Sequence, residues 1–207
     1  MFVSKLIMDD VTEKIGQADL DQEELKKMGR LLASISGEFE GWQVKVVESD
    51  PNTKNVEVTA EFSSQDKNIF LLGVQTASRT LLSRTTEVEF QYRIPHSKPG
   101  KAEIHLNHTG SWSRTGIKAS VKEGGAEAQR VADKLTADKQ FYAAFFPLDS
   151  KHFHLVQDSE GWQVKTSQMG AAWLAIKFPP TRRYIPMGAD QVETLIGCFV
   201  ALNKILG

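Results

Sequence analysis

The clearest pattern in the chain is its last one. Val192, Leu195, Ile196, Phe199, Leu202 and Leu206 recur three and four residues apart and share one face of a helix. Asp190 and Glu193 stand in its first turn and Lys204 in its last, where the macrodipole favours each charge. At the other end, Val3, Ile7, Val11 and Ile15 have helical spacing, with Gly16 as a stop. A second helix follows Asp21, which forms a variant capping box with Glu24. Leu25, Met28, Leu32 and Ile35 make its apolar stripe, and Gly37 ends it.

Between these helices the period falls to two. Trp42, Val44 and Val46 alternate with polar residues, as do Val56, Val58, Ala60 and Phe62. Val88, Phe90, Tyr92 and Ile94 repeat the pattern, followed by Ala102, Ile104 and Leu106. Such alternation marks antiparallel strands with one dry and one wet face. Residues 69–76 are a continuous apolar run, which predicts a strand buried on both faces, and residues 77–85 fit neither period. Ile117, Ala119 and Val121 predict a further strand before Gly124 and Gly125 break the series. Residues 126–137 are rich in helix formers, and the aromatic run 141–146 stops at Pro147. Three more strands are expected around Phe153, Trp162 and Leu174, and prolines stiffen residues 179–186.

These elements predict an α+β protein. An antiparallel meander packs against the long C-terminal helix and the N-terminal helices. Residues 1–123 hold the N-terminal helices and meander; residues 124–207 hold a helix, three strands and the final helix, within one compact unit. The order is similar to that of helix-grip ligand-binding folds, a likeness of fold alone.

One hexapeptide occurs twice. Glu-Gly-Trp-Gln-Val-Lys at 40–45 recurs letter for letter at 160–165. It is either the trace of a duplication into two related halves or one turn-plus-strand solution used twice. Identity stops at both ends: helix-like residues precede the first copy and strand-like residues 153–157 the second.

Composition narrows the function classes. A chain of 207 residues, 41% hydrophobic and 25% charged, is an ordinary globular protein with a real core. The formal net charge of −1 argues against a dedicated nucleic-acid binder, which carries a basic excess. Cys198 is the single cysteine, so no internal disulfide and no cysteine zinc site can form; a cytoplasmic location is expected. No apolar run reaches the length that spans a bilayer. The chain contains no Gly-rich phosphate loop, dinucleotide fingerprint or nucleophile elbow, so no motif indicates a cofactor.

Three groups of residues could carry chemistry. His152 and His154, two apart on a strand, project from one face and could ligate a metal if a third ligand converged. His105 and His108 are the nearest candidates, although their spacing puts them on opposite faces. Arg182 and Arg183 precede the final helix, and Gly188 permits close backbone approach, the makings of an anion site. Phe145, Trp162, Trp173 and Phe199 are the natural walls of an apolar cavity, and equally of a dry core. Cys198, among apolar neighbours on the last helix, reads as an inert core thiol.

Three functions fit this inventory. The first is a non-catalytic carrier or sensor for a small apolar or anionic ligand. The second is a metal- or histidine-dependent enzyme, and the third a protein-interaction module or homodimer. The carrier stands first, and whether the chain is an enzyme stays open.

Overall fold

The computed structural model describes residues 31–32, 34–35, 37–47, 59–64, 69–95, 100–110 and 113–207. The predicted first helix, most of the second and the turn at residues 50–52 lie outside them. Residues 31–32 and 34–35 are helical. Among the described residues nine strands follow: β1 (Gln43–Val47), β2 (Thr59–Ser64), β3 (Ile69–Arg79), β4 (Ser83–Pro95), β5 (Ala102–Thr109), β6 (Gly116–Glu123), β7 (Ser150–Asp158), β8 (Gly161–Lys177) and β9 (Pro180–Ile185). Three helices join them: α1 (Gly125–Ala137), α2 (Lys139–Phe145) and α3 (Ala189–Leu206).

The hydrogen-bonded path runs β1-β2-β3-β4-β8-β7-β5-β6, with β9 on β8. The pairings of β1 with β2, β2 with β3, β5 with β6 and β7, and β8 with β7 and β9 are all antiparallel. The fold is therefore α+β and mostly sheet, as the alternating patterns require. Sequence order holds through β4. Beyond it β5 lies between β6 and β7, because α1 and α2 carry the chain from β6 back to the far side of β5.

Two compact units share this path: Met1–Glu89 with Met169–Gly188, and Phe90–Gln168 with Ala189–Gly207. Their boundaries fall inside β4 and β8, so each of these strands gives one end to each unit. Gly124 lies within the second.

In the first unit Ala60, Phe62, Leu71 and Val88 are buried, together with Leu31, Leu32, Ile35 and Phe39. The Phe39 ring sits 4.8 Å from Phe62 and 5.5 Å from Trp42. Glycine is required at 73, where a Cβ would stand 2.8 Å from the Phe62 ring. The run 69–76 departs from expectation at its start. Phe70 is 54% exposed, and burial on both faces is reached only near Val74 and Gln75. Residues 77–85 resolve into the end of β3, a turn at Leu81 and Leu82, and the start of β4.

The second unit has an aromatic core. Phe145 of α2 lies 5.5 Å from Phe141 and 5.1 Å edge-on to Phe153 of β7. Phe199 of α3 packs 4.9 Å from Tyr92. The predicted α3 stripe is buried along its whole length, as is Cys198. Asp138 caps α2, its side chain accepting from the Phe141 N–H at 2.7 Å.

Both copies of the hexapeptide hold their glycine in the left-handed region, Gly41 at φ 78° and Gly161 at φ 134°. Val44 pairs with buried Phe62, and Val164 with buried Leu155. Their contexts differ. The first copy follows helical residues, whereas the second is the return strand of the β7–β8 hairpin.

Candidate functional site

The β8–β9 hairpin brings polar chemistry into the first unit. Its cross-strand partners Trp173 and Tyr184, Ala175 and Arg182, and Lys177 and Pro180 share one face. At the inner end the Trp173 and Tyr184 rings lie 6.2 Å apart. The Tyr184 hydroxyl donates to Glu38 Oε1 at 2.6 Å. The backbone N–H groups of Met187 and Gly188 donate to Glu38 Oε2 at 2.9 and 3.2 Å. Burial, then the hydrogen bond and charge of Glu38, push the Tyr184 phenol well above its usual range. Gly188 has φ 84°, and a Cβ at Gly170 would stand 2.4 Å from the Pro186 carbonyl oxygen. Both glycines are what the backbone allows at this latch.

Arg182, Arg183 and Gly188 are placed differently by the hairpin. The Gly188 amide meets the chain's own carboxylate, Glu38. The two arginines do not converge, because adjacent strand residues project to opposite faces. Arg183 pairs across from Leu174, while Arg182 sits beside Ala175 on the latch side. No local signal marks Glu38, whose partners lie about 150 residues along the chain.

Further out along the hairpin lies a groove of about 470 Å³. Ala175, Ile176, Pro180 and Thr181 line it with three cations, Arg84, Lys177 and Arg182. Arg84 comes from β4, an even number of positions from buried Val88 and so on its side of the strand. Lys177 donates its backbone N–H to the Leu82 carbonyl at 2.8 Å, fixing the end of β8 beside the β3–β4 turn. The same unit buries polar atoms without hydrogen-bond partners: both amide atoms of Gln75 and the Trp173 indole nitrogen.

The histidines belong to the second unit. His152 and His154 share a face opposite buried Phe153 and Leu155, as their spacing predicts. His105 is the register partner of His154, and their rings stack at 3.8 Å. His152 lies 5.0 Å from His154, with its Nδ1 2.9 Å from Ser167 Oγ. Glu103 accepts from His105 Nε2 at 2.5 Å. His105 and His154 therefore stack, and His152 lies tilted against His154. Among the described residues, no group of three or more His, Cys, Asp or Glu is arranged to hold a metal ion.

His108 faces the other way. It stacks on Phe145 at 4.8 Å and hydrogen-bonds the Phe145 carbonyl at 3.1 Å. Desolvation lowers its pKa, outweighing the backbone hydrogen bond that favours the charged form. The unfolded chain thus binds the proton more readily, and this contribution to stability falls as pH drops through the ordinary imidazole range. Replacing His108 by Asn is expected to flatten the loss of thermal midpoint between about pH 7 and 5. Scans of both proteins across that range test it; an unchanged slope would mean that other groups control the acid response.

The family model described as "Protein of unknown function (DUF3156)" matches residues 50–206. The chain belongs to the DUF3156 family. No curated protein and no solved structure matches it. The DUF3156 region takes in β2 through the whole of α3, including every groove residue and every histidine named above. Glu38, which closes the latch, lies outside it. Among the described residues no helix is long and apolar enough to cross a membrane.

The four residues expected as cavity walls fall in both units. Phe145 and Phe199 are fully buried and Trp162 nearly so, all three in the second unit. Phe145 and Phe199 fill space against neighbouring rings. Trp173, half-buried, belongs to the latch of the first unit. Burial pushes the Cys198 thiol far above its usual range, which makes it a poor nucleophile.

Proposed function

We propose that this DUF3156 protein is a non-catalytic carrier or sensor for an amphipathic anion, bound in the groove of the first unit. Three cations that line the groove together with apolar side chains carry the assignment. Guanidinium forks suit a phosphate or carboxylate head, while Ala175, Ile176 and Pro180 suit a hydrocarbon stem. A volume of about 470 Å³ is within the range of small-molecule sites.

Titration with dodecyl phosphate, followed by Trp fluorescence and calorimetry, tests the proposal; Trp173 shares a strand face with Ala175 and Lys177, which line the groove. Saturable binding is expected for dodecyl phosphate and absent for dodecyltrimethylammonium. Charge reversal in the double variant Lys177→Glu/Arg182→Glu is expected to weaken it at least tenfold, at roughly 1 kcal/mol or more per displaced charge. Equal binding of the cationic amphiphile, or none of either, would sink the proposal.

A further inference from the structure

Two turns beside the groove expose apolar side chains that serve no packing purpose in the described structure. Leu81 is 85% exposed, Leu82 60% and Phe178 83%. Leu81 and Leu82 form the tip of the β3–β4 hairpin, a place where Gly, Asn and Asp are the residues that fit turn geometry. The turn is nevertheless well tied. Thr80 and Ser83 exchange backbone and side-chain hydrogen bonds across it at 2.8–3.3 Å. Phe178 stands in the β8–β9 turn, next to Lys177, whose N–H bonds the Leu82 carbonyl. The apolar residues therefore sit side by side on two held tips, and Arg84, Lys177 and Arg182 stand just behind them.

We propose that these tips dock the protein on an anionic lipid bilayer, with Leu81, Leu82 and Phe178 entering the acyl boundary and the three cations meeting headgroup phosphates. Charge complementarity and shape both favour this occupant. Apolar insertion and attraction of basic residues to anionic lipid are two weak signals that together hold a peripheral protein. A protruding tip suits a soft medium, whereas a stable protein partner needs a broad complementary face, about 800 Å² per side. A nucleic acid would meet the cations but leave two leucines without a base to read or a face to stack on. The cations are shared with the groove proposal; the apolar tips are independent of it.

Vesicle flotation with the full chain provides the test. Phosphatidylcholine vesicles are compared with vesicles that also contain phosphatidylglycerol. Binding is expected on the anionic vesicles only, weakening as salt rises. The double variant Leu81→Ser/Phe178→Ser is expected to lose at least about tenfold in partitioning. Its circular dichroism and its affinity for monomeric dodecyl phosphate should match the wild type. No flotation with anionic vesicles at low salt would overturn the proposal. So would a double variant that floats like the wild type, since that is adsorption by charge alone. A concentration-dependent dimer mass lost in the variant, without vesicle binding, would assign the tips to a second copy instead. If dodecyl phosphate fails to bind while tip-dependent flotation persists, groove occupancy falls and the docking tip stands.

Discussion

Replacing Glu38 by Gln is expected to lower the free energy of unfolding by about 2–4 kcal/mol. The carboxylate receives only donors: the Tyr184 hydroxyl and the amides of Met187 and Gly188. An amide side chain keeps one acceptor oxygen and turns an NH₂ group toward at least one of those donors. Hydrogen bonds to a charged acceptor contribute about 1.5–3 kcal/mol each, and an orphaned part-buried donor adds its desolvation cost. Tyr184→Phe removes one donor and leaves the two amides satisfied, so its expected cost is smaller, about 1–2 kcal/mol. Urea denaturation of both variants checks the order. A Glu38→Gln midpoint within error of the wild type would mean that the loop at residues 186–188 holds itself without the latch.

Phe145→Ala is expected to cost about 3–5 kcal/mol, and Phe145→Leu clearly less. Phe145 is fully buried, with Phe141, Phe153 and His108 against its ring. Truncation removes transfer free energy and leaves a cavity that a strand and a capped helix cannot readily close. The same variant bears on the rival role for this residue. A wall of an open ligand cavity would be trimmed with little loss of stability, whereas a core ring would not. Thermal and urea unfolding give the answer, and a loss below about 1 kcal/mol would return Phe145 to the cavity wall. The acid response assigned to His108 should shrink in the Ala variant, because water then reaches the imidazole.

The parts of the molecule that were legible in the sequence are those with a short repeat. Period two along Val88–Ile94 and Ala102–Leu106 placed the buried faces of β4 and β5, and the period of 3.6 placed the α3 stripe. The same rule put His152 and His154 on one side and His105 and His108 on opposite sides. The β3–β4 turn was not legible, since Leu81 and Leu82 carry none of the usual turn chemistry. The burial of Cys198 is legible from its apolar helical neighbours.

What the sequence by itself determined is the kind of element wherever a short repeat runs and the side that such an element buries, because backbone geometry repeats over two or about four residues. Which elements meet was decided only by tertiary structure. The order of β5, β6 and β7, the capture of Glu38 by a loop about 150 residues away, and the placing of Arg182 rather than Arg183 at the groove all depend on register and packing between distant segments. A one-residue change of register would send Arg183 rather than Arg182 into the groove without altering the alternation at all. Local periodicity fixes faces; long-range pairing fixes neighbours, and the candidate site is made of neighbours.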